Sequence, residues 1–422
     1  MFMHRVSTAR VLVAPARHSD AAETVFRLLN AAGVRWCLLR APGGASATGV
    51  VEVDVLLAPA SLSAAVDALR EHAFVPIRAP GHYPHRFFVG LSSSGQWIKV
   101  DAVTDIMYGR PVRNLRAGMA DELLAARIWE DGVWRPSAVF EFVTLALHVL
   151  LDKASVMEAH RHRLEALAGI ASQDVAQLPA HLREFARVAA GQIAGGRWDA
   201  FAGSRGSARA FLMRRQRLAA TTRLAVQSAL RKLGRYLPTG QRGVSVALLA
   251  PDGAGKSSLV KALVETPLLN AQSFYMGTRA RRPEFRPVRF LSLLLGNWLS
   301  LAKASWRRLQ GGVVVFDRYV YDSLLNGSSP RRSVRFRQWL LTAGWPRPDL
   351  TVVLDAPGHV LFERKREHSP EWLEEQRMKY RELPALAPAA QVIFVDATRE
   401  FAEVRMTVTS LIWTKYAERN HG

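Results

Sequence analysis

The sequence predicts an α/β protein: a mixed N-terminal unit (1–117), a helical extension with a basic linker helix (118–237), and a C-terminal doubly wound parallel sheet (238–422). Three observations predict it. An apolar, β-branched run from Val244 to Leu249 meets a tight Pro251-Asp252-Gly253-Ala254-Gly255 turn, and Lys256-Ser257-Ser258 then opens a helix-periodic segment. Four further apolar runs follow, separated by helical segments, an alternation that favours parallel strands with a site at their carboxyl ends. Upstream, strand-like runs carrying alternate acids give way near Met119 to apolar residues at i, i+3, i+4 spacing, the period of helices.

The 422 residues, 49% of them apolar, are enough for two or three cores. Lys and Arg (57) outnumber Asp and Glu (36), leaving a formal charge of +21. Such an excess biases partners toward phosphates, nucleic acid or an anionic membrane face. The single cysteine, Cys37, excludes an internal disulfide and a cysteine-based zinc site, and suits a reducing cytosol. Met1 to Ala16 holds only the short apolar Val11-Leu12-Val13 between basic residues, so a cytoplasmic protein is expected, with attachment to the inner face of the membrane as an extension of that reading.

Asp20 is placed to start a helix over Ala21 to Ala32 that Gly33 would stop. Trp36 to Leu39 reads as a strand, Ala41 to Ser46 as a turn-rich loop, and Val50 to Leu57 as a second strand. Its period of two puts Glu52 and Asp54 on one face. A helix over Ser61 to His72 and further strands follow, the last being Trp97 to Val103 with Asp101. Two acids one residue apart and a third on a later strand suit a divalent metal that holds a nucleoside triphosphate. Over Val11 to Tyr108 this order resembles the nucleotidyltransferase fold, as in members from polysaccharide loci, and the resemblance puts Glu52, Asp54 and Asp101 on that family's metal-binding carboxylate positions. The alternative is surface acids on an edge strand.

Helices are expected over Ala120 to Glu130, Ala138 to Leu151, Met157 to Leu167 and Leu182 to Ile193. His148 and Asp152 share a face, as a buried hydrogen bond or as a catalytic or metal pair. No acid lies between Asp199 and Asp252, while ten Arg and Lys residues from Arg205 to Arg242 do. That amphipathic basic stretch suits an anionic membrane, a nucleic-acid backbone or a solvated linker helix.

In the C-terminal unit, strand, loop and helix N-terminus converge their N–H groups and Lys256 on one spot, a phosphate cradle. Ala250 stands at the first position of the G-x-x-x-x-G-K-[ST] pattern, and Ser257 would reach Mg²⁺. Strands are expected at Ser273 to Met276, Val313 to Phe316, Leu350 to Leu354 and Val392 to Val395. After the last three come Asp317-Arg318-Tyr319, Asp355-Ala356-Pro357 and Asp396-Ala397-Thr398. Asp317 is placed to orient the metal's water shell. Phe290 to Ala302 is apolar but too short to span a bilayer, so a buried or an interfacial helix is expected, with burial favoured.

Together APDGAGKSS (250–258), VVVFDRY (313–319), PDLTVVLDAP (348–357), ERKREHSPE (363–371), QRMKYREL (376–383) and VIFVDAT (392–398) resemble the thymidylate kinase family over nearly all of Gln241 to Tyr416. The resemblance implies that Ala250 and Asp252 to Ser258, with Lys256 and Ser257 foremost, hold ATP, and Asp317 joins Ser257 as a metal residue by its place at the strand end. It implies also that Arg318 grips the acceptor phosphate, that Arg364 and Arg366 close as a lid, and that Asp252 contacts the acceptor's sugar; Arg279 and Tyr319 are expected on the acceptor side. Residues that in that family shape a thymine pocket are replaced, by Tyr319 to Gly327 and by Gly277 to Pro283. The expected function is ATP-dependent phosphorylation of a small phosphorylated or sugar-containing acceptor, a nucleotide or a sugar phosphate, with nucleotidyl transfer by the first unit as an added step. A homodimer is compatible with it. Two alternatives remain open, a nucleic-acid end-processing enzyme and a non-catalytic, membrane-associated NTP-binding protein.

Overall fold

Strand β2 (Val50–Leu57) sends Val51, Val53 and Val55 to one face and Val50, Glu52, Asp54 and Leu56 to the other, as its period requires. A computed structural model describes residues 20–40, 49–77, 79–110, 112–153, 155–214, 216–234, 240–276, 286–323, 325, 345–386 and 391–421. The first sheet runs β1 (Trp36–Leu38), β2, β5 (Trp97–Val103), β4 (His85–Leu91), β3 (Val75–Ile77). Only β2 and β5 pair in parallel, and their register sets Asp54 beside Asp101 and Glu52 beside Lys99. The valine face is sealed by the helices Asp20–Ala31 and Leu62–Glu71 through Val25, Phe26, Leu29, Ala65 and Leu69. The first of these ends at Gly33, whose φ of 64° only glycine adopts without cost.

The other face of β2 meets three surroundings in turn. Leu56 enters the core of the helices Ala138–Asp152, Glu158–Gln173 and Ala180–Ala194. Glu52 and Asp54 open onto a cavity. Val50 joins Val75, Val89 and Trp97 in a core shared with the C-terminal helix Phe401–His421. There Trp413 meets Trp97 edge-on at 4.9 Å, stacks on Tyr416 and donates its indole N–H to the Ala73 carbonyl at 3.1 Å.

Two short hairpins precede the helices: β6 (Met107–Tyr108) with β7 (Leu115–Arg116), and β8 (Ile128–Glu130) with β9 (Val133–Arg135). The helix expected to run to Glu130 therefore stops at Ala125. Asp131 and Gly132, both at positive φ, make a two-residue turn of the hairpin type that pairs the strands on either side of it. The basic stretch is two helices, Arg205–Arg214 and Arg217–Gly234. The second lies on the first unit, where Gln227 donates to the Tyr83 carbonyl at 3.1 Å, and it leaves Leu218, Leu230 and Leu233 exposed.

The second sheet is wholly parallel, in the order β11 (Ala271–Tyr275), β12 (Val313–Asp317), β10 (Ser245–Leu249), β13 (Leu350–Asp355), β14 (Val392–Asp396). With neighbours on both sides, β10 is buried throughout, which is why it reads as a continuous apolar run. The apolar segment expected to be buried is part of a longer helix, Arg286–Leu309. Among its described side chains Leu301 and Ala304 face the sheet, whereas Leu295, Trp298, Leu299, Trp306 and Leu309 are exposed. One side of a 24-residue helix is all that a sheet can cover. No helix among the described residues is long and apolar enough to cross a membrane.

Candidate functional site

At the carboxyl end of β10 the chain turns through Ala250 to Gly255 and enters the helix Lys256–Val264. Gly253 at φ 90° and Gly255 at φ 82° make the turn possible, and Gly255 is the helix N-cap. A Cβ on Gly253 would lie 2.7 Å from the Leu361 carbonyl oxygen, so the loop is pressed against the helix Gly358–Arg364; a Cβ on Gly255 would meet nothing within 4 Å. Ala250 and Ala254 are buried and fix the loop, while Ser257 and Ser258 are exposed on the first helical turn. Helix N-terminal N–H groups without intrahelical partners attract an anion there.

Register brings the charged residues to the same end. Leu248 pairs with Asp317, and Lys256 donates to that carboxylate. Arg318, at φ 66°, turns back to give Asp252 a 3.1 Å ion pair. His368 lies 4.0 Å from the other Asp252 oxygen and packs on Trp372. Tyr319 is placed differently from expectation: it is buried, and its hydroxyl donates to the Pro346 carbonyl, so it supports the loop instead of facing an acceptor. Arg364 donates to the Ala397 carbonyl at 2.7 Å, tying its helix to the loop after β14, and Arg366 is exposed. Arg279, with the rest of 277–285, lies outside the described residues.

Sequence reasoning missed an arginine pair. Arg377 grips Asp355 through Nε at 2.7 Å and Nη2 at 3.3 Å, and Arg381 adds a bond at 2.7 Å. Burial alone would raise the Asp355 pKa, but the two guanidiniums outweigh it and hold the carboxyl below its ordinary range. Spacing of four on the helix Pro370–Arg381 was the available signal, since it sets both arginines on one face.

The first unit holds a separate polar cavity of about 390 Å³ over β2, β4 and β5. Its three expected metal-binding acids each meet a basic side chain: Asp54 meets Arg40 at 2.8 Å, Glu52 meets Lys99 at 2.9 Å and Asp101 meets His85 at 2.6 Å. Burial pushes the Asp54 pKa up, against the pull of Arg40. Among the described residues no three His, Cys, Asp or Glu side chains stand together so as to hold a metal ion. His148 and Asp152 form the buried bond expected of them, Nδ1 to Oδ2 at 3.0 Å, and also wall this cavity.

The fold is α/β with a parallel five-stranded sheet whose carboxyl ends carry the glycine loop, a lysine and the ion-paired arginines Arg318, Arg377 and Arg381. No protein-family model matches the chain, and no curated protein does. Among solved structures, the chain is similar to a thymidylate kinase of Candida albicans, at 19% identity over 43% of this chain and 94% of that one, with a TM-score of 0.33.

Proposed function

We propose that the C-terminal unit is an ATP-dependent phosphotransferase acting on a small phosphorylated or sugar-containing acceptor. The observation that carries this reading is the convergence at the carboxyl end of β10: a left-handed glycine turn, a free helix N-terminus, Lys256 beside Asp317, and Arg318 beside Asp252. Phosphoryl transfer needs positioning and positive charge more than covalent help. Loop N–H groups and Lys256 would hold the donor phosphates, and Arg318 would orient the anionic acceptor. Asp252 would accept from an acceptor hydroxyl while fixing that arginine.

The donor set fits ATP and Mg²⁺. Space is open beside Gly255, and the hydroxyl of Ser257 and the carboxylate of Asp317 are oxygen ligands of the kind magnesium takes. When bound, the ion would neutralise charge on the transferring phosphates. Asp317 holds the Lys256 ammonium at the strand end, and Asp355 holds the helix of Arg377 and Arg381 to the sheet. A nucleotidyl-transfer step in the first unit has no comparable support: among the described residues no three His, Cys, Asp or Glu side chains stand together so as to hold a metal ion.

The test is ATP turnover against nucleoside monophosphates, sugars, sugar phosphates and oligonucleotide ends, with Lys256→Ala as control. Turnover with a sugar-containing acceptor and a loss of about 10²–10³ in the variant are expected, the usual cost of one transition-state charge contact. Near-normal transfer by Lys256→Ala would refute the reading.

A further inference from the structure

The cavity in the first unit is walled by two relays of one design. On the strand side His85 donates from Nδ1 to Asp101 at 2.6 Å, and Arg113 Nη1 lies against both ring nitrogens of that imidazole. On the helix side His148 donates from Nδ1 to Asp152 at 3.0 Å and accepts at Nε2 from Arg40 at 2.9 Å. Asp152 is itself fixed by the Gly109 N–H at 2.8 Å. Each aspartate thus holds an imidazole through Nδ1, and each imidazole lies against a guanidinium. An arginine has five N–H donors, so both retain donors after these bonds.

Cations also outnumber acids on the wall. Arg40, Lys99, Arg110, Arg113, Lys153 and Arg231 face four carboxylates, those of Glu52, Asp54, Asp101 and Asp152. Arg110 and Lys153 have no carboxylate partner among the described residues. Phe87, stacked on His85 at 5.8 Å and with the Lys99 ammonium 5.5 Å from its ring centre, adds an apolar wall. Carboxylates turned toward arginines, and surplus cations in a concave site, describe recognition of an anion and not chelation of a cation.

From this we infer that the first unit binds a phosphate-bearing small molecule, of the size of a sugar phosphate or nucleotide, through Arg110, Arg113 and Lys153 without a divalent metal. A cavity of about 390 Å³ is large enough for such a ligand. The inference does not rest on the phosphotransferase reading of the other unit, and either can fail alone.

Calorimetry on the full chain carrying Lys256→Ala, which weakens the glycine loop as a competing anion site, tests it with inorganic phosphate and pyrophosphate in EDTA. Binding is expected without metal, weakened about a hundredfold by Arg110→Gln with Lys153→Gln, since each lost charge-assisted bond is worth roughly tenfold. Among the described residues these two side chains make no ion pair, so the variants are expected to keep the fold; an unchanged melting temperature checks this. Three results would overturn the inference: no binding of either probe at millimolar concentration, binding that appears only with Mg²⁺, or binding indifferent to the double variant.

Discussion

Two glycines of one loop separate steric from conformational constraint. Alanine at Gly255 keeps open space around its Cβ and carries only the left-handed backbone cost, roughly 1–2 kcal/mol. Alanine at Gly253 carries a comparable backbone cost, about 1–3 kcal/mol, and its Cβ also stands 2.7 Å from the Leu361 oxygen. Reaching ordinary contact at 3.4 Å requires the loop to open from its neighbour by about 0.7 Å, the difference of the two distances. Leu361 is main chain in a helix, so the loop must give way. Displacements near 1 Å cost on the order of 10²-fold where a reacting group must be placed, and a loss of about tenfold in ATP affinity is the conservative expectation. Melting curves and titration calorimetry with ATP and Mg²⁺ on both variants read the two effects. Gly255→Ala should be mildly destabilised with affinity nearly kept, and Gly253→Ala should lose both. Equal behaviour of the two variants would refute the argument that contact with Leu361 shapes the loop.

Trp413→Ala should cost about 3–5 kcal/mol, the usual range for a buried tryptophan, because it removes the packing on Trp97 and leaves the Ala73 carbonyl without its donor. Denaturant unfolding measures this, and a loss under about 1 kcal/mol would show that the shared core contributes little. His148 has a pKa below its ordinary 6.5, chiefly because burial disfavours the cation, with Arg40 and Lys153 acting the same way and Asp152 opposing them. Its neutral form is therefore favoured in the folded state. This stability is fully present above pH 6.5 and is lost as pH falls from there through the lower folded value. Melting temperature should fall as pH is lowered from 6.5, and less steeply in His148→Gln. Identical slopes would remove His148 from the cause; His160, 6.0 Å away and also lowered, acts in both chains.

The sequence by itself determined whatever is decided within one element or one turn. Val244 to Leu263 reads as strand, glycine turn and helix because apolar run, positive-φ glycines and helical period are local properties, and the structure has Ser245–Leu249 and Lys256–Val264 around that turn. Alternation over Val50 to Leu57 placed Glu52 and Asp54 on one face for the same reason. The parallel character of the second sheet was legible because strands alternating with helices leave few other solutions. What surrounds a side chain was not legible. Glu52 and Asp54 look like metal ligands in sequence, and only the β2–β5 register and the approach of Arg40 give each a cationic partner. Arg113, His85 and Asp101 come from separate elements, as do Arg40 and His148, which are 108 residues apart; no local period records that they meet. The exposed side of Arg286–Leu309 and the hairpin at Asp131-Gly132 were likewise set by which neighbours were present to cover or to pair. Propensity and period act over a few residues, whereas burial and ion pairing depend on distances that only the assembled chain fixes.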